Sequence, residues 1–271
     1  MAASTVSSST SGTHPRGGPP QRHLRTDRWW VEPALTATVL FLFVVYSTWR
    51  AFENAHYSTV AQHRNYISPF YSPCVAKSCP ADVRWFSINI AHWFSPALYI
   101  LIFPLGFRLT CYYYRKAYYR AFWLSPPACA VSEPHKSYSG ETRFPLIMQN
   151  VHRLFLYAAT IFNVILTFDA FYAFFGFDGR SFGMGLGTLV LLANATLLWL
   201  YTLSCHSCRH LIGGRINHFS KHPVRYKAWT FVSRLNAHHM RYAWLSLVGV
   251  AAADFYVRLI ATGAFHDPRF F

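Results

Sequence analysis

Five apolar runs decide what this chain can fold into: about Pro33 to Thr48, Ile88 to Leu109, Leu146 to Phe171, Met184 to Ser204 and Tyr242 to Thr262. Roughly 20 apolar residues cross a bilayer as a helix, and irregular backbone cannot face lipid. The expected fold is therefore all-α, an integral membrane bundle of five transmembrane helices over residues 29–271. Trp29, Trp30 and Trp49 flank the shortest run as interfacial anchors. Composition agrees, since 53% of the 271 residues are hydrophobic, 18% aromatic and only 13% charged. Before Arg22 the chain is rich in Ser, Thr, Gly and Pro with no apolar core, so residues 1–28 are expected to form a disordered tail rather than a cleaved signal peptide.

Charge sets the expected orientation, because basic connections stay cytoplasmic. Arg16, Arg22, Arg25 and Arg28 precede the first run. Arg108, Arg115, Lys116, Arg120, Lys136 and Arg143 follow the second, and Arg209 through Arg241 follow the fourth. The opposite side is sparser and diluted by Glu53, Asp82, Asp178 and Asp267. The N-terminus is expected inside, with most of the formal net charge of +15 on a face suited to anionic lipid or an acidic protein partner. Nucleic acid is not an expected partner, as no soluble domain carries a groove reader.

The stretch SCHSCRHLIGG from Ser204 packs two cysteines and two histidines into Cys205–His210. Cys205 and Cys208 continue a stripe through Tyr201, Leu198, Asn194, Leu191 and Gly187. Gln149, His152, Leu156, Thr160, Asn163 and Thr167 form a second stripe. Asn236, His239, Ala243, Ser246, Val250 and Asp254 form a third, of the small and polar kind that suits a bundle seam. His238 lies about 100° away, which favours His239. Cys205, Cys208, His152 and His239 thus share one inner depth. Two thiolates and two imidazoles suit zinc or a Rieske-type two-iron, two-sulfur centre, and a redox centre has a use at that depth that a structural zinc does not. Singly, each of these residues has a plain packing role as its alternative. Cys74 and Cys79, in SPCVAKSCP on the outer side, are expected to form a local disulfide, whereas Cys111, Cys129, Cys205 and Cys208 lie inside as thiols.

Five spans, a basic inner face, span histidines and CHSCRH resemble the membrane anchors of succinate:quinone oxidoreductases. In particular they resemble the actinobacterial succinate dehydrogenase anchor in which a Rieske-type 2Fe-2S cluster replaces haem. The interleaved cysteine–histidine loops of soluble Rieske proteins are absent. The resemblance implies a multi-pass subunit of a bacterial cell membrane, with separate flavoprotein and iron-sulfur subunits as partners and quinone as substrate. The oligomeric state stays open, a higher oligomer included. Quinone chemistry needs an apolar slot with hydrogen-bond donors. His92, Tyr99, Asn194 and Asp254 are candidates toward the outer half, and Tyr201 and Trp229 toward the inner end. Asp254 has a structural alternative as the partner of Arg258, four residues on. Two rival functions remain: an anchor carrying haem b, and a proton-coupled transporter using Asp169, Asp254 and the span histidines.

Overall fold

The computed structural model describes residues 25–59, 65–74, 95–134, 142–144, 146–175 and 182–271. Among these the chain is helical, with only isolated bridge pairs in extended conformation. In chain order the helices are α1 (Val31–Glu53), α2 (Pro96–Ile100), α3 (Ile102–Leu109), α4 (Tyr112–Trp123), α5 (His152–Tyr172, preceded by a 3-10 turn over Leu146–Val151), α6 (Leu186–Leu203), α7 (His206–Gly213), α8 (Pro223–Asn236) and α9 (His239–Ala261).

Four helical segments are long and apolar enough to cross a membrane: α1, Leu146–Tyr172, α6 and α9. The expected second span is where the count changes. Its residues 88–94 lie outside the described residues, and Pro96–Leu109 then meets α4 at 82°. Among the described residues the spans number four, or five if that bent pair is one crossing.

α6 packs between α5 and α9, and α3 lies against α5. The three predicted seams face this core: Gln149, His152, Leu156 and Asn163 on α5 and its entry turn, Leu191, Asn194 and Tyr201 on α6, and Ala243, Ser246, Val250 and Asp254 on α9 are all buried. α1 is peripheral, and only Pro33, Arg50 and Ala51 of it are buried. Its exposed Leu35, Phe41, Leu42, Val44 and Phe52 make an apolar outer surface.

Two expected continuities are broken. The stripe from Asn236 through His239 does not lie on one helix, because α8 stops at Asn236 and α9 starts at His239. Likewise α6 ends at Leu203 and Cys205 takes extended angles (φ −63°, ψ 141°) as the cap of α7. Asn236 Nδ2 donates to the Ser204 carbonyl at 2.7 Å, so the one break supplies a partner to the other.

At the opposite end a buried ion pair ties α1 to α9. Arg50 and Asp254 are both 0% exposed, and Arg50 Nε donates to Asp254 Oδ2 at 2.7 Å. Tyr46 donates to the same carboxylate at 2.5 Å, and Ser68 donates to its other oxygen. Asp254 is therefore held by Arg50, while Arg258 pairs with Glu53 at 2.9 Å. A buried charge without its partner is costly, whereas an apolar pair of similar volume is often tolerated. We predict that Asp254→Ala destabilises the chain by about 3–5 kcal/mol, read as a lowered melting temperature in detergent. The double variant Arg50→Met/Asp254→Leu should recover most of that loss; a double variant as unstable as the single would contradict the role of charge isolation.

Candidate functional site

α3 and α6 end on similar dipeptides: Thr110–Cys111 after α3 and Ser204–Cys205 after α6. Both cysteines adopt extended angles and cap the next helix, Cys111 with φ −69° and ψ 129°, Cys205 with φ −63° and ψ 141°. Each dipeptide is divided between two histidines, one on α5 and one on α9. His152 has Thr110 Oγ1 at 2.8 Å from Nδ1 and Cys205 Sγ at 3.0 Å from Nε2. His239 has Ser204 Oγ at 2.7 Å from Nδ1 and Cys111 Sγ at 3.4 Å from Nε2. The hydroxyl from one break and the thiol from the other meet on each imidazole.

The hydroxyls also fix the tautomers. Thr110 donates its own proton to the Gly106 carbonyl at 2.7 Å, and Ser204 donates to the Tyr201 carbonyl at 2.9 Å. Each hydroxyl oxygen is then left to accept, so Nδ1 of each histidine carries the proton and donates it. Nε2 keeps its lone pair and faces a thiol. This is the outer support that histidine ligands of metals use, with one ring nitrogen held so that the other is free to bind.

Aromatic rings set the walls. Phe107 stacks on His152 at 4.8 Å and 4° between planes, and Tyr201 stacks on His239 at 5.1 Å and 16°. Phe107 and Tyr201 also line a cavity of about 320 Å³ whose other polar lining includes Ser47, Thr48, Arg108, Asn163 and Thr202. One ring therefore separates each imidazole from the cavity. Arg108 lies over Tyr201 at 4.8 Å and donates to the Tyr114 hydroxyl at 2.6 Å, the Ala243 carbonyl at 3.3 Å and Ser246 at 3.1 Å. Among the described residues no carboxylate pairs with it, so a guanidinium stands uncompensated beside this cavity.

Three of the expected donors, Cys205, His152 and His239, are thus together, and Cys111 joins them. Cys208 is buried one turn into α7 and makes no contact with either histidine among the described residues. The cysteines do not occupy adjacent turns of one helix, because the chain caps α7 at Cys205. Burial pushes the Cys205 thiol up to about 12 and raises that of Cys208. His206, His210 and His238 are exposed. Among the described residues no group of three or more His, Cys, Asp or Glu side chains is arranged to hold a metal ion. By residue type, two cysteines with two histidines are the ligand set of a two-iron centre of the Rieske type.

The expected quinone residues do not converge. Tyr201 lines the cavity, but Tyr99 is exposed on α2, and Asp254 is engaged by Arg50. Trp229 stacks on Tyr226 and meets Phe219 at a tilt beneath Arg209, which makes it packing of the α7–α8 hairpin. Asn194 is buried on α6 away from the cavity lining, and His92 lies outside the described residues. Cys74 is disulfide-bonded, and Cys79 is likewise outside the described residues. Cys111, Thr110, Ser204 and Arg108 are the site residues that sequence reasoning passed over. The shared hydroxyl–cysteine pairs that follow two apolar runs are the signal that would have found them.

No curated protein matches the chain. One chain of a solved structure, the Mycobacterium smegmatis Sdh1 complex in the apo form, is 51% identical, with a TM-score of 0.85 over 94% of this chain and 96% of that one. Residues 31–263 match the family described as actinobacterial succinate dehydrogenase subunit SdhC. With most of its length matched, the chain belongs to that family of succinate dehydrogenase membrane anchor subunits.

Proposed function

We propose that this chain receives electrons from a peripheral iron-sulfur subunit and delivers them to quinone in the membrane, with Cys111, Cys205, His152 and His239 as the ligands of a Rieske-type 2Fe-2S cluster. The observation that carries this reading is the gathering of two cysteines and two histidines from separate helix ends, with Nδ1 of each imidazole already held by a hydroxyl. When bound, such a centre supplies one-electron storage between the partner subunit and quinone. Cys208, one turn into α7, is the alternative second thiol.

The cavity behind Phe107 and Tyr201 is the proposed quinone site, since it is mostly apolar and lies one ring away from both histidines. Arg108 faces the place where negative charge develops as quinone is reduced, and an uncompensated cation stabilises that charge strongly in a low-dielectric site. Tyr201 and Thr202 offer hydroxyls to quinone oxygens, and Phe107 shields His152. The similar Mycobacterium smegmatis chain is part of an Sdh1 complex, which supports assembly with flavoprotein and iron-sulfur subunits. We place the N-terminus and the α4, α7 and α8 connections in the cytoplasm.

Three experiments test these assignments. Cys111→Ser should abolish the paramagnetic signal of the reduced cluster and succinate-dependent quinone reduction, while succinate oxidation by a soluble acceptor persists. Cys208→Ser should leave the signal in place; the reverse pattern would transfer the ligand role to Cys208. Replacing His152 and His239 by Ala should act like Cys111→Ser, and replacing exposed His206 and His210 should not.

Arg108→Gln should lower the rate of quinone reduction by roughly 100-fold, the scale of losing one preorganised stabiliser of developing charge, with the cluster signal retained. An unchanged rate would remove Arg108 from the quinone site.

Orientation is read with a membrane-impermeant maleimide. Exposed Cys129 should be spared in intact cells and labelled in inverted vesicles. Cys205, buried, should resist labelling in both. Labelling of Cys129 from outside would invert the topology.

A further inference from the structure

α4 leaves the end of α3 through a bend of 82°. Taken as the surface arm of this bent pair, α4 runs along the membrane plane, nearly at right angles to Pro96–Leu109. One side of it is occupied by the protein. Tyr114 is buried and donates to the Ala243 carbonyl at 2.6 Å, the Tyr113 hydroxyl accepts from Trp244 Nε1, and the Tyr118 hydroxyl accepts from Gln149 Nε2 at 3.2 Å. Arg120 is engaged by the Pro127 carbonyl at 2.7 Å and approaches Glu32 at 3.6 Å.

The other side reads Tyr112, Arg115, Lys116, Tyr119, Phe122 and Trp123, spaced by three and four and so on one face. Tyr112, Phe122 and Trp123 are 54%, 51% and 47% exposed. Arg115 lies 5.6 Å over the Tyr112 ring, and Tyr119 stacks on Trp123 at 6.0 Å. No residue of α4 is acidic. The helix lies against α1, whose outer surface is apolar and exposed, whereas α7 and α8 pack at the inner ends of α5 and α6.

We propose that this stripe binds the headgroups of anionic phospholipids in the surrounding bilayer. Arg115 and Lys116 meet phosphate, and the aromatic rings sit between headgroup and acyl chain, where tyrosine and tryptophan are most stable. The occupant is lipid because the stripe sits at the margin beside α1, and because rings alternate with cations as the boundary between headgroup and hydrocarbon requires.

The test uses the full complex in nanodiscs made of phosphatidylglycerol and phosphatidylcholine in equal parts. Lipid retained after detergent exchange is quantified by mass spectrometry. The wild-type complex should retain phosphatidylglycerol preferentially, and less so as salt rises. Arg115→Gln/Lys116→Gln should cut that preference by fivefold or more, since each basic residue at an anionic surface contributes about fivefold. Arg115→Lys should preserve it. If the double variant does not assemble, Lys116→Gln is read instead, because Lys116 has no partner among the described residues; its expected loss is about fivefold. An unchanged preference in the variant tested overturns the proposal. So does loss of the iron-sulfur subunit with the lipid preference intact, which would make the stripe a protein interface.

Discussion

Two imidazoles in an apolar bundle must each find two polar partners, and one half of this protein is arranged around that requirement. Hydrocarbon offers no water to compensate a buried ring nitrogen, and an unmade hydrogen bond there is expensive. The chain meets the demand by ending two helices at one depth and placing a hydroxyl–cysteine pair at each end. Because each pair is shared between His152 and His239, neither histidine is held by a single loop. α3, α5, α6 and α9 must all be in register for either set of contacts to form. The site is thereby coupled to the packing of the bundle.

The opposite end follows the same physics with charges. Arg50, Asp254, Glu53 and Arg258 form alternating ion pairs between α1 and α9, with Tyr46 and Ser68 donating to Asp254. This network holds the peripheral α1 in place, which its largely exposed surface would not do alone. α1 in turn supplies Phe43, Ser47 and Phe52 to the cavity wall. A polar clamp at one end thus shapes an apolar slot that reaches toward the histidines at the other.

Much of this was legible in the residues. Three stripes at helical spacing identified the buried faces, and the stripe through Ser246 distinguished His239 from His238. The helix breaks were not legible. Neither Ser204–Cys205 nor Ala237–His238 contains Gly or Pro, and the Asn236 contact that fills the Ser204 carbonyl is a tertiary one. Cys111 was passed over because it lies just beyond Arg108, outside the apolar run, and its partner His239 is 128 positions away. Depth can be counted along a helix, whereas neighbours around the bundle cannot. Hence Asp254 and Arg258, matched by their spacing of four, take separate partners on α1, and the expected quinone residues share a general depth without sharing a cavity.

The central claim is that two histidines of this membrane subunit are ligands of a redox centre. Pulsed electron paramagnetic resonance of the reduced complex, purified from cells fed ¹⁵N-histidine, measures this directly. Histidine ligation requires hyperfine couplings from two inequivalent histidine nitrogens on a signal that belongs to the membrane subunit. A membrane signal with no nitrogen coupling, or its replacement by the optical bands of haem b, would contradict it.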